Sequence, residues 1–215
     1  MRIEETKVYQ FDELSDTAKD RARDWFRQGS NDDNYFAESV IEDACRMADM
    51  LGISLQTRTV KLMGGGTRQE PVIWWEGFSH QGQGASYSGS YSYRKGSAKA
   101  IAKEAPRGAD KTYTGNNLLN DVAEMLAEVQ ARNFYQLQAS ITASRGHYLS
   151  IDVERADDKP VSTEDEDTVI EALRDFANWI YRQLEAEYEY QNADEQVDEN
   201  IRANEYEFTE EGYWT

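Results

Sequence analysis

Residue types that commonly carry catalysis are scarce in this sequence of 215 residues, which contains one cysteine, Cys45, and two histidines, His80 and His147. A structural zinc site needs about four Cys or His ligands at short spacings, so we expect no metal and no cofactor. Cys45 has the acidic neighbours Glu42 and Asp43, which favour a buried structural thiol over a reactive thiolate. The sequence therefore predicts no catalytic residue and a protein that is not an enzyme.

A glycine-flanked turn between two aromatic segments is one candidate binding site. The segment 72–93 reads VIWWEGFSHQGQGASYSGSYSY, and its alternation on both sides of the turn predicts a β-hairpin. Side chains from both strand ends could converge there, with nearby lysines holding an anionic ligand such as a nucleotide. This predicted pocket consists of Trp74, Trp75, Phe78, His80, Gln81, Gln83, Tyr87, Lys95 and Lys99. The alternative interpretation is a hairpin core with a solvated turn.

The second candidate is an acidic surface near the C-terminal end of the sequence. Residues 152–215 hold 21 Asp and Glu against 5 Lys and Arg, a net charge of −16 out of −18. Carboxylates at helical spacing lie about as close together as the phosphates of duplex DNA and would attract a basic nucleic-acid-binding cleft. The predicted partner-binding face consists of Glu185, Glu187, Glu189, Asp194, Glu195, Asp198, Glu199, Glu205, Glu207, Tyr188 and Tyr190. The alternative is a solvated face that keeps the protein soluble.

Apolar periodicity predicts the elements that position these residues. Apolar residues at helical spacing predict one helix after Ser15 and a second that ends before Gly52. Further helices are predicted at 98–105, at 118–129 and from about 163 to 201, the last with an interruption at 192–193. Strands are expected at 6–11, 53–62 and 206–208, and in two hairpins at 72–93 and 135–153. We predict an α+β fold in which amphipathic helices cover a single, mostly antiparallel sheet. One domain should span 1–215, with an acidic helical part at about 160–215.

Cellular location can also be predicted from the sequence. It contains no apolar run near the roughly 18 residues that a membrane span needs. Its first residues, Met1 to Glu5, lack the apolar region of a signal peptide. A single cysteine cannot form an internal disulfide, so a cytoplasmic protein is expected.

Three segments of the chain resemble a known family. They are VYQFDELSDTAKDRARDWFRQG, GFSHQGQGASYSGSYSY and WIYRQLEAEYEYQNADEQVDENIRANEYEFTEEG. They are similar to an uncharacterised family of small proteins from tailed bacteriophages and prophages, whose members often carry the label of an antitoxin. Relatives tend to have an acid where this chain has Gln83, and the family brings no known catalytic residues.

The resemblance implies a phage product that acts in the cytoplasm of a host bacterium. Together with the charge distribution, it leads us to expect a non-catalytic binding protein that inhibits a host nucleic-acid-handling or defence complex. Such a protein would mimic DNA in the manner of some anti-CRISPR proteins and would not bind DNA or a membrane itself. A nucleotide-binding module at the hairpin and an antitoxin that neutralises a basic toxin are the alternatives. The sequence leaves the oligomeric state open.

Overall fold

The computed structural model describes residues 7–30, 36–78, 82–108, 115–143 and 148–215. The described helices are α1 (Asp16–Ser30), α2 (Phe36–Leu51), α3 (Ser97–Glu104), α4 (Gly115–Arg132), α5 (Thr163–Asn192) and α6 (Asp194–Ala203). The described strands are β1 (Tyr9–Gln10), β2 (Ile53–Leu55), β3 (Thr57–Lys61), β4 (Thr67–Pro71), β5 (Ile73–Trp75), β6 (Ala85–Tyr87), β7 (Gly89–Ser92), β8 (Leu137–Ala143), β9 (Leu149–Arg155) and β10 (Glu207–Phe208). All pairings among these strands are antiparallel, and the predicted α+β class is confirmed.

The described strands divide among four sheets, where the sequence predicts one. β2, β7, β8 and β9 form a four-stranded sheet, and the pairs β1–β10, β3–β4 and β5–β6 stand apart from it. The division has a local cause at Ser88, the single residue between β6 and β7. Its N–H donates to the carbonyl of Val72, and its carbonyl accepts from the N–H of Gln56. The chain therefore leaves one sheet and enters the next across one residue.

A hairpin made of β3 and β4 was not predicted. Thr57 lies opposite Pro71 and Lys61 opposite Thr67, with Gly65 and Gly66 in left-handed conformations between the strands. The residues of this ribbon are mostly exposed and polar, so they lack the apolar alternation from which a strand is recognised. The sequence predicts only its first strand, within 53–62, and a connection after it.

The chain forms two compact units. The small unit comprises the described residues of 1–38 and 186–215, and the large unit comprises those of 39–185. In the small unit, α1 and α6 share a core with β10. This core consists of Phe11, Leu14, Ala18, Ala22, Val197, Ile201 and Phe208. The prediction of one domain stays a prediction, because compactness alone does not say whether two units unfold together.

Buried polar contacts join helices to strands in the large unit. The fully buried Gln130 of α4 donates through Nε2 to the carbonyl of Leu137 at 2.7 Å and to the hydroxyl of Tyr91 at 3.2 Å. Tyr87 of β6 donates its hydroxyl to the carbonyl of Leu173 on α5, at 3.0 Å. Because buried polar groups need partners, these bonds fix α4 and α5 relative to the strands. Of the helices described, none is both long and apolar enough to span a membrane.

Candidate functional site

Two carboxylates of the predicted acidic face turn toward α1. The Arg23 guanidinium donates to both carboxylate oxygens of Asp198, with Nε–Oδ1 and Nη2–Oδ2 distances of 2.7 and 2.8 Å. Arg27 pairs with Asp194, and this hydrogen bond holds the pKa of the Asp194 carboxyl below its usual value. Asp194 and Asp198 therefore hold α6 against α1, and their assignment to the partner-binding face stays a prediction.

Cations of the small unit also surround a buried ring. The guanidinium carbons of Arg23 and Arg202 lie 5.7 and 5.3 Å from the centre of the Phe11 ring, within the range of cation–π attraction. Arg202 also pairs with Asp12, which lowers the pKa of that carboxyl. These arginines are thus engaged by groups of their own unit.

Two further carboxylates lie on a neighbouring face of α6, about 100° around the helix from Asp194 and Asp198. Glu195 and Glu199 are exposed and lie one turn apart on the helix, and neither makes an ion pair with any residue that the structure describes. Like charges at this spacing repel, at a cost of about 0.2 to 0.5 kcal/mol. We call the exposed acids of the predicted face the outer carboxylates, leaving out Asp194, which is 64% exposed but paired with Arg27. They are Glu189, Glu195, Glu199, Glu205 and Glu207.

The two remaining acids of the predicted face are half-buried. Glu187 accepts a hydrogen bond of 2.7 Å from the amide of Gln191. Glu185 is the last residue of the large unit, and its charge adds to burial in raising the pKa of the Tyr181 hydroxyl. The outer carboxylates belong to the small unit alone. Segments 1–38 and 186–215 contain 20 Asp and Glu and 7 Lys and Arg, a net charge of −13 out of −18.

Exposed aromatic side chains accompany these charges. Tyr190 is 61% exposed, whereas Tyr188 is half-buried with its ring centre 5.6 Å from that of Phe36. Trp214 is 55% exposed and stacks at 5.1 Å on Trp25 of α1. The sequence offers no signal for this stack, because Trp25 fits the apolar stripe of α1 and gives no indication of its partner. Tyr190, Trp214 and the 60% exposed Tyr213 are therefore aromatic groups of the small unit that are available for contact.

The predicted hairpin pocket is not assembled as the sequence suggests. β5 and β6 do pair, with Ile73 opposite Tyr87 and Trp74 opposite Ser86. Neighbouring positions of a strand point to opposite faces, so Trp74 and Tyr87 cannot line one pocket. Tyr87 is fully buried, and burial raises the pKa of its hydroxyl far above the usual range.

The other residues of that predicted pocket are distributed as follows. Trp74 is 38% exposed beneath the guanidinium of Arg58. Phe78 lies 5.5 Å from the ring of Tyr181, between ring centres. Trp75 and Gln83 are half-buried, and Lys95 and Lys99 are exposed at the start of α3. His80 and Gln81 lie outside the described residues.

The thiol of Cys45 is not placed to act as a nucleophile, and the described residues form no metal-ligand cluster. Cys45 is half-buried, and burial, followed by the charge of Glu42, raises the pKa of its thiol. A raised pKa keeps the thiol protonated and unreactive. The described part of the chain brings no three His, Cys, Asp or Glu side chains together as metal ligands.

Comparison with known proteins identifies the family. Residues 36–194 match the family described as Domain of unknown function (DUF8835). The chain belongs to the DUF8835 family. No curated protein matches the chain, and no solved structure does.

The DUF8835 match and the acidic surface overlap little. The match covers the whole large unit, 39–185, and ends at Asp194, the first residue of α6. Of the outer carboxylates, only Glu189 lies within it. A function of the acidic surface is therefore proposed for this chain and not for the whole family. A function that the family shares would be carried by the large unit.

Proposed function

We propose that this protein binds a basic partner protein, without catalysis, through the outer carboxylates and exposed aromatic rings of its small unit. The partner is a nucleic-acid-handling or defence complex of a bacterial host, and binding inhibits that complex by occupying the cleft that would hold nucleic acid. The observation that carries the proposal is the pair Glu195 and Glu199, two exposed acids one turn apart, neither of which makes an ion pair with a described residue. Arg202 acts on the charge of Glu199 only from beyond ion-pair distance.

The charge of the small unit supports this proposal. Its arginines Arg23, Arg27 and Arg202 are held by Asp198, Asp194 and Asp12. The outer carboxylates are left to face solvent, with the rings of Tyr190 and Trp214 exposed in the same unit. Charges of this kind accelerate association with a basic surface, and aromatic rings supply contact energy that charge alone does not.

The choice of partner follows from the resemblance of the chain to phage and prophage proteins. Proteins of that kind act inside a bacterium, where nucleases and other defence complexes present basic clefts for nucleic acid. An acidic protein that fills such a cleft competes with nucleic acid for the same cations.

The test is affinity capture from a bacterial lysate with the tagged full chain, at about 0.1 M and about 0.5 M salt, since screening weakens exposed charge pairs. We expect a basic nucleic-acid-binding protein to be retained at low salt and lost at high salt. The double variant Glu195→Gln and Glu199→Gln should bind the captured protein about fivefold more weakly, chiefly through slower association.

The matched control removes two exposed charges elsewhere. Asp152→Asn with Glu154→Gln changes β9 of the large unit by the same net charge and should bind as the unmodified chain does. Equal loss in both variants would show a general charge effect and contradict the proposed surface. Retention unaffected by salt, or a captured protein that does not bind nucleic acid, would also contradict it. A basic toxin encoded beside this gene would establish the antitoxin alternative instead.

A further inference from the structure

The start of α4 lies against α5 in the large unit, at Gly115. The first N–H groups of any helix lack acceptors within the helix, and the helix dipole makes this end positive. α4 has 18 residues, long enough for a developed dipole. Such a terminus attracts anions, but it becomes a site only if other groups are arranged to receive one.

A buried side chain of α5 supplies such a group. Trp179 is 4% exposed, and its indole Nε1 makes no hydrogen bond to any residue that the structure describes. Leaving a buried N–H without an acceptor costs about 1 to 3 kcal/mol. The ring cannot easily turn away, because it stacks on Phe176 with centres 5.7 Å apart. Trp179 therefore presents an unused donor in a fixed direction.

This donor and a second one meet at Gly115. A Cβ atom built on Gly115 would lie 3.2 Å from Trp179 Nε1 and would collide with Nε2 of Gln183. Gln183 follows Trp179 by one helical turn, and among the described residues its amide has no hydrogen-bond partner. Two neutral N–H donors thus lie beside the first turn of α4, and the Gln183 amide fills the space that a side chain larger than glycine would need.

The segment before α4 is tied to its first turns. Asn120 donates to the carbonyl of Ala105 and to that of Asn116, both at 2.7 Å. Asn116 donates in turn to the carbonyl of Pro106 at 3.3 Å. These bonds set the position of the helix start before any ligand arrives. A preorganised site loses less entropy when it binds.

We propose that Trp179 Nε1, Gln183 Nε2 and the first turn of α4 form a binding site for a carboxylate group. A carboxylate has acceptor oxygens only, so it can take the indole and amide hydrogens at once. The donors are neutral, which suits a single negative charge; phosphate sites usually recruit arginine or lysine. The site lies within the DUF8835 match and is independent of the acidic surface.

The experiment is an NMR titration of the full chain with sodium acetate as the carboxylate probe, followed through the indole N–H signals of its five tryptophans. Trp179→Phe identifies the signal of Trp179. We expect that signal alone to move downfield and to saturate, with a dissociation constant on the order of millimolar, since a four-atom ligand offers limited binding energy. Sodium chloride at equal ionic strength should not move it selectively.

Substitutions at the site give the matched comparison. Gly115→Ala places a methyl group over Nε1 and displaces the Gln183 amide, so acetate should bind at least about tenfold more weakly, or about 1.4 kcal/mol. Gly29→Ala in α1, where an added Cβ meets nothing within 4 Å, should bind as the unmodified chain does. Gln183→Leu should weaken binding while the rest of the spectrum shows an intact fold.

Three outcomes would overturn the proposal. The first is a Trp179 signal that does not move, or that moves linearly with the other four. The second is saturation by inorganic phosphate without saturation by acetate, which would exclude a carboxylate as the ligand. The third is unchanged acetate binding in Gly115→Ala.

Discussion

Arg23 and Asp198 form the least exposed of the ion pairs described in the small unit. The side chain of Arg23 is 17% exposed and that of Asp198 is 15% exposed, so both charges are largely withdrawn from water. Removing one partner of such a pair leaves the other without compensation, which costs more than the pair itself contributes. Exposed ion pairs, in contrast, contribute little because water and salt screen them.

We expect Arg23→Ala to lower the free energy of unfolding by about 2 kcal/mol, because it leaves the Asp198 carboxylate with only its longer contact to Arg202, at 4.0 Å, and uncovers the Phe11 ring. Urea denaturation followed by circular dichroism measures the change. Arg46→Ala is the matched control, since Arg46 is 52% exposed beside Asp43 and Glu104, and it should cost no more than about 0.5 kcal/mol. Equal losses in the two variants would contradict the structural role of Arg23.

The sequence predicts the acids of α6 but not which of them are free. Asp194, Glu195, Asp198 and Glu199 are all acidic residues in one helical segment. What separates them is contact with α1, and Asp198 lies 175 residues from Arg23 in the chain. Periodicity within a helix can indicate its apolar side, where the structure buries Val197, yet it cannot identify a partner that distant.

At the scale of elements, the sequence predicts helices and the β8–β9 hairpin well because their apolar periods are strong. It does not predict the break at Ser88, since β6 and β7 read as one alternating strand. The break follows from a ring of backbone hydrogen bonds in which Gln56 donates to Ser88, Ser88 to Val72 and Val72 to Gln56, and these residues are far apart in sequence. Likewise, the donors around Gly115 could not be predicted, because the position of Trp179 beside the apolar stripe of α5 indicates burial but not what its indole N–H faces.

Gly52 connects α2 to β2 and provides a test at this scale. It has φ of 87°, and a Cβ there would collide with the carbonyl oxygen of Ser92 on β7. Gly52→Ala should therefore destabilise the protein by about 2 kcal/mol or more, from backbone strain together with the clash. Gly65→Ala controls for strain alone: φ is 85° and nothing lies within 4 Å, so we expect about 1 kcal/mol. Urea midpoints of the two variants give the comparison, and equal losses would mean that the contact with β7 is unimportant.

At the scale of the whole molecule, the two units differ in charge. The small unit has a net charge of −13, and the remaining 21 acids and 16 bases of the large unit give −5. Repulsion within the small unit opposes its folding, while its ion pairs oppose that repulsion. These two contributions depend on pH in opposite directions and can be separated by titration.

The last prediction concerns this pH dependence. Hydrogen bonds from Arg202 to Asp12, from Arg27 to Asp194 and from Asn133 to Asp165 lower the pKa of each carboxyl below its ordinary value of 3.8. The unfolded chain therefore binds protons more readily than the folded chain, so this stabilisation is complete above about pH 4 and is lost as the pH falls through the lowered values. Between pH 7 and the isoelectric point near 4.5, protonation of carboxylates instead relieves repulsion between them.

We expect the urea midpoint to hold or rise from pH 7 to about 4.5 and then to fall toward pH 2.5. Arg202→Gln should be less stable than the unmodified chain at pH 7, with a difference that narrows as Asp12 is protonated. A midpoint at pH 2.5 equal to that at pH 4.5, or a difference that does not narrow, would contradict the assignment of these carboxyls as stabilising ion-pair partners.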